Sequence, residues 1–188
     1  MTNAVLCEIL RMGPGGWELL LKEANSGVSK GKWNGPGGKI EQGETSEQCV
    51  RREILEETGL QLGHVEFIGQ LTFKGDDLDF LVDLYRSTDF TGKERDSDEG
   101  RLNWFGVDAL PYASMWDDDK YWLTPLLCGI HFDASFRFSQ GKVAEAVFKV
   151  RDTQGPKLAS DGLAGSQPTD LTRPNPPEPA SGEKKQQP

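Results

Sequence analysis

Glu53, Glu56 and Glu57 stand at i, i+3 and i+4 within the stretch from Gly38 to Leu60. A helix through that stretch carries all three carboxylates on one face. Like charges that close repel unless something positive lies among them. The simplest neutraliser is a hard divalent cation with a preference for oxygen, Mg²⁺ or Mn²⁺. Such an ion can screen phosphates and acidify a bound water.

The flanking residues predict the element that positions these groups. Thr45 is a candidate N-cap, and Gln48 three residues on completes a capping box. Val50 and Ile54, four apart, can face a core, and Gly59 suits the left-handed C′ position. The helix is therefore expected from about Ser46 to Thr58, its acidic face turned toward the preceding loop. That loop, Gly35-Pro36-Gly37-Gly38, lets backbone approach a ligand closely. Lys39 beside it can meet a phosphate or simply be solvated.

Gly38, Glu44 and Arg52-Glu53-Ile54-Leu55-Glu56-Glu57-Thr58-Gly59-Leu60 resemble the complete Nudix box, with no departure at a fixed position. The resemblance implies an α/β/α sandwich with a mixed central sheet. It also implies hydrolysis of a nucleoside diphosphate linked to another group. By the same resemblance Glu53, Glu57 and the Gly37 carbonyl hold the metal, and Glu56 either binds it too or stands just behind them. Glu99 is a further ligand or, like Glu53, a candidate general base. Arg52 is expected to orient the glutamates and Glu44 to brace the loop.

A second set of residues has the chemistry to read a purine. Trp116 offers an indole face, and stacking is worth on the order of 1–3 kcal/mol per base. Asn34 carries a donor and an acceptor on one amide. Asp118 and Asp119 are adjacent, and two close carboxyls rarely both ionise, so one keeps a proton that it can donate. On residue chemistry alone the plainer reading is preferred: an acidic helix N-terminus and a core tryptophan. Lys32-Trp33-Asn34-Gly35, Ser97-Asp98-Glu99, Trp104-Phe105 and the run from Met115 to Trp122 resemble, in order and spacing, the MutT-like branch of the family found in animals. That resemblance implies a base pocket of Asn34, Trp116, Asp118 and Asp119 beside Gly37, Gly38 and Lys39. The expected substrates are oxidised purine nucleoside triphosphates of the 8-oxo-dGTP or 2-hydroxy-dATP type, cut to monophosphate and pyrophosphate. The alternatives are another nucleotide, such as a methylated purine triphosphate or a dinucleoside polyphosphate, or an idle binding module. Asp117, Val28 and Pro36 depart from the branch, which has a proline at the first and aromatics at the other two.

The net charge of −9 over 188 residues argues against a grip on a nucleic-acid backbone, but not against a nucleotide whose charge a metal neutralises. Cys7, Cys49 and Cys128 are widely spaced and form no zinc or disulfide pattern, so reduced thiols and a cytoplasmic setting are expected. No apolar run is long enough to span a bilayer. A monomer acting on a small nucleotide is the expected state. His64 and His131 are isolated and expected to be idle.

Strand pairs are predicted at Val5–Arg11 with Trp17–Leu21 and at Val65–Lys74 with Leu78–Arg86. Thr88–Arg101 reads as a loop, Leu102–Phe105 as a short strand, and Phe132–Phe138 with Val143–Val150 as a last hairpin. A helix is expected over about Asp118–Cys128, provided Pro125 falls in an early turn. Seven of the eleven prolines lie beyond Thr153, with no Trp, Phe or Tyr. Residues 1–152 are therefore expected to form the Nudix domain and 153–188 a disordered Pro-rich tail. Pro174 to Pro179 has the composition of a polyproline ligand, though a dispensable extension is the favoured reading.

Overall fold

The computed structural model describes residues 1–151. The boundary at 152 and the tail beyond it lie outside the described residues. The elements run β1 (Thr2–Gly13), β2 (Gly16–Ala24), β3 (Trp33–Asn34), α1 (Ser46–Thr58), β4 (Gln61–Leu62), β5 (Glu66–Gly75), β6 (Leu78–Ser87), β7 (Phe90–Thr91), β8 (Gly100–Gly106), α2 (Asp119–Leu127), β9 (Phe132–Ser139) and β10 (Lys142–Val150). A 3-10 turn at Tyr112–Ser114 precedes α2. The main sheet has the order β10-β9-β5-β6-β1-β2-β3, with β8 also paired to β2. It is mixed: β1–β6 and β5–β9 are parallel, the other ladders antiparallel.

Strand β1 divides the core in two by its period-2 alternation. Val5, Cys7 and Ile9 join Leu20 and the Cys49, Val50 and Ile54 face of α1. Ala4 and Leu10 join Leu19, Leu21 and the Trp122, Leu123 and Leu126 face of α2. One helix therefore covers each face, which is the expected α/β/α sandwich.

β1 pairs with β2 only from Ile9 to Gly13. Past that point β2 leaves it for β3 and β8, and the first half of β1 has a free edge. The glycine loop takes this edge: Val5 N–H donates to Gly38 O at 2.8 Å, Cys7 N–H to Pro36 O at 3.0 Å and Ile40 N–H to Asn3 O at 3.1 Å. Only glycine fits at 37, where a Cβ would lie 2.2 Å from Val5 O. The loop is thus pinned in the fork of the sheet, with α1 behind it and a cavity in front.

Helix α1 occupies the expected residues, with the Thr45–Gln48 capping box formed and Gly59 left-handed at φ 76°. The helix from Asp119 to Leu127 corrects one expectation: Pro125 lies in its last turn, not an early one. A proline there lacks the N–H that would donate to Tyr121 O and its ring crowds that carbonyl, and the helix stops two residues later. Helix capping continues past it, with Cys128 N–H donating to Thr124 O at 3.0 Å and Ile130 N–H to Pro125 O at 3.0 Å. The last hairpin turns on Gln140 and Gly141, both at positive φ, 54° and 71°, as a two-residue turn demands. Thr88–Arg101 is not all loop: β7 lies within it, and β8 begins at Gly100. The three cysteines are free, Cys7 and Cys49 buried and Cys128 exposed. Among the described residues no helix is long and apolar enough to cross a membrane.

Candidate active site

The acidic face of α1 meets the glycine loop. Glu57 is almost wholly buried; its Oε2 accepts from Gly37 N–H at 2.9 Å. The Glu53 carboxyl lies where a Cβ on Gly38 would be, 2.3 Å from the built position. Any side chain at 38 would therefore displace it. Glu56 is 60% exposed and Glu99 63%, so both face outward at the rim of the same patch.

Two cations inside the cluster compensate its charge, and sequence reasoning missed one of them. Lys22 pairs with Glu57 and lies 3.6 Å from Glu99. It is only 7% exposed along its side chain. The strand expected to stop at Leu21 continues to Ala24, and its alternation turns Lys22 to the α1 side, like Leu20. A lysine interrupting an apolar strand was the available signal. Arg52 is the second cation. Its fork closes on Glu44 through Nε and Nη2, both at 2.9 Å, while Nη1 donates to Glu53 at 2.8 Å and Glu56 at 3.2 Å. The bidentate pair is thus with Glu44, whose Oε2 also accepts from Glu41 N–H at 3.1 Å. The pairing with Arg52 holds Glu44 down at about 2. Burial pushes Glu57 up to about 7, against the pull of Lys22. Burial also raises Glu53, with Glu56 and Glu99 adding to the rise and Arg52 opposing it.

The donors facing this patch are all oxygen, as a hard divalent cation requires. Among the described residues they are not gathered into a ready-made cage; Glu57 is turned to Lys22 and Gly37, and Glu53 to Arg52. Oxygen chemistry and shared location fit the ion, with Lys22 and Arg52 as the counter-charges when none is bound.

A cavity of about 390 Å³ opens on the other side of the glycine loop. Gly37, Gly38 and Lys39 form one end, and Asn34, Trp116, Asp118 and Asp119 line it with the apolar walls Leu6, Phe73, Phe80 and Phe138. All seven substrate-binding candidates from the sequence meet here. Val28, exposed and named above as a departure from the branch, is among the residues lining the cavity. Trp116 is fixed by its Nε1–H donating to Ser29 Oγ at 3.0 Å, with Lys32 Nζ 4.9 Å from the ring centroid and Phe138 edge-on at 5.9 Å.

Asp118 and Asp119 are both buried. Trp122 Nε1–H donates to Asp118 Oδ2 at 2.8 Å, and Trp116 N–H donates to Asp119 Oδ2 at 2.9 Å. Burial lifts Asp118 to about 6 and lifts Asp119 well above the carboxylate range, with Asp118 and Glu8 adding to the latter. Burial thus favours the protonated form at this pair, with adjacency a secondary cause at Asp119. Asp117 does something else. Its carboxylate accepts from Lys120 at 2.8 Å, Lys142 at 3.1 Å and Val143 N–H at 3.0 Å, tying α2 to the last hairpin. His131 pairs with Glu66 at 2.8 Å, and neither it nor His64 lines this cavity.

Comparison with known proteins places this geometry among relatives. The NUDIX domain model matches residues 2–126. The oxidized purine nucleoside triphosphate hydrolase of Danio rerio is 38% identical over 139 residues, covering 73% of this chain and 88% of the fish protein. The protein of the same name from Mus musculus is 36% identical over 122 residues, covering 64% of this chain and 78% of its own length. Among solved structures, a MutT protein from Bacillus halodurans superposes with a TM-score of 0.67 at 22% identity, over 79% of this chain and 97% of that one. That last likeness speaks to the fold alone.

Proposed function

The chain belongs to the Nudix family, and on that premise we propose that it hydrolyses oxidised purine nucleoside triphosphates to the monophosphate and pyrophosphate, sanitising the nucleotide pool. One observation carries the reading. A carboxylate-rich helix face and a purine-sized cavity with two adjacent buried carboxyls, both raised by burial, meet at a single glycine loop. The names of the fish and mouse relatives support the same substrate class.

In this reading Glu53, Glu56, Glu57, Glu99 and the Gly37 carbonyl hold the divalent cation, Mg²⁺ with Mn²⁺ as substitute. The ion, when bound, screens the phosphates and makes a bound water acidic. Arg52 fixes Glu53 and Glu56 in direction, braced by Glu44. Glu53 or Glu99 accepts the proton of the water attacking the α–β bridge. Asn34, Asp118 and Asp119 read the base edge, Trp116 stacks on it, and Lys39 and the loop amides face the phosphates. Both Asp118 and Asp119 accept a fixed bond on Oδ2, which leaves each Oδ1, protonated or not, to suit a base whose tautomer has changed.

Turnover of 8-oxo-dGTP in ¹⁸O-water tests the chemistry. Monophosphate and pyrophosphate as products, with label in one of them, is the expected result. Release of inorganic phosphate instead would contradict it.

A further inference from the structure

Two buried side-chain oxygens among the described residues have no hydrogen-bond partner, Glu8 Oε2 and Asn34 Oδ1. Asn34 lines the base cavity, and Glu8 abuts Gly35, the residue that follows Asn34. Glu8 lies on β1 two residues beyond the wall residue Leu6, on the same face, and is 1% exposed. Its other oxygen sits against Gly35, where a Cβ would be only 2.4 Å away, so the carboxyl abuts the residue following Asn34. The titratable groups its charge bears on are acids, Asp119 on α2, Tyr112 on the 3-10 turn and Cys7 beside it, and among the described residues no cation is paired with it. An ionised, unpartnered carboxylate in that setting is costly. A turned-over Asn34 amide would serve an ionised Glu8 only with a buried, unpaired charge left in place, whereas a protonated Glu8 relieves both acceptors without one.

We propose that Glu8 is a specificity-determining residue of the base pocket: its neutral carboxyl donates to Asn34 Oδ1 and thereby holds the Asn34 amide with Nδ2 toward the purine. Burial, which pushes Glu8 up to about 8, keeps it in that form near neutrality. The consequence is directional. A free asparagine turns over to suit donor or acceptor, whereas a held one presents a fixed donor. A fixed donor favours a 6-oxo purine, which offers an acceptor, over a 6-amino purine, which offers another donor. The inference rests on the purine reading of the cavity given above.

The test compares wild type, Glu8→Gln and Glu8→Met by the ratio of kcat/KM for 8-oxo-dGTP to that for 2-hydroxy-dATP. Binding of the two monophosphates without metal gives the same ratio independently of turnover. Glutamine keeps a donor at this place and methionine does not. The ratio is expected to stay within about threefold in Glu8→Gln and to fall by about tenfold or more in Glu8→Met, the worth of one hydrogen bond. A protonated-carboxyl C=O infrared band absent from Glu8→Gln and shifted by 8-oxo-dGMP is the accompanying sign, and it decides the matter if Glu8→Met does not fold. An unchanged ratio in folded Glu8→Met, equal losses in both variants, or no such band overturns the proposal. A wild type that binds 8-oxo-dGMP but cleaves no purine triphosphate would overturn the proposed reaction instead, leaving the binding ratio to judge Glu8.

Discussion

Arg52 and Glu8 show how single residues set the chemistry in opposite ways. Arg52 gathers three carboxylates with one guanidinium. Arg52→Ala is expected to lower kcat/KM by about 10–100-fold, the usual cost of losing a group that orients ligands. Arg52→Lys should recover little of it, because an ammonium cannot reproduce the fork. Steady-state kinetics checks both. Glu8 instead is left without a charge partner. Its folded value is raised from 4.5 to about 8, so across that window the folded state binds a proton that the unfolded state has lost. Stability must therefore fall as pH rises through the window. Glu8→Met removes this slope. Urea unfolding at about pH 5 and about pH 8 should show the variant gaining on wild type by on the order of 3–4 kcal/mol at the higher pH. Equal differences at the two pH values would contradict the neutral-carboxyl account.

At the scale of elements, the site depends on how the glycine loop docks in the fork between β1 and β2. Gly38→Ala would drive a methyl into the Glu53 carboxyl, so activity is expected to fall by about 10²-fold or more while circular dichroism stays native. Ile54, fully buried under α1, is structural: Ile54→Ala should cost about 2–5 kcal/mol in denaturant unfolding, with kcat little changed in the folded fraction. Helix α1 was legible to the residue because its signals are local: a capping box, a 3.6-residue apolar period and a glycine stop. Lys22 was not, because its role depends on how far β2 runs after leaving β1, which long-range pairing with β3 and β8 decides. Glu8 escaped for the same reason. In sequence it is one acid in an apolar strand, and only the fold brings it against Gly35. Pro125 was placed wrongly because proline is tolerated best in a first turn, whereas here the buried Trp122, Leu123 and Leu126 face holds the helix despite the bond lost in its last turn.

For the whole molecule, the sheet divides labour between its faces. The α1 face supplies carboxylates and their counter-charges, and the α2 face supplies the apolar cavity and the buried aspartates. Substrate class should therefore change independently of chemistry. Asp119→Asn is expected to alter the ranking of purines while leaving the metal dependence as it was. The expected boundary at 152 predicts that a chain ending there keeps its activity and melting temperature, which a truncation compared with the full chain checks. The central claim is tested most directly by initial rates with Mg²⁺ on dGTP, 8-oxo-dGTP, 2-hydroxy-dATP, O6-methyl-dGTP and diadenosine tetraphosphate, with Glu56→Gln run beside wild type. A large kcat/KM preference for an oxidised purine, lost in Glu56→Gln, is the predicted result. Turnover of the polyphosphate or the methylated purine alone, or of nothing, would contradict the account.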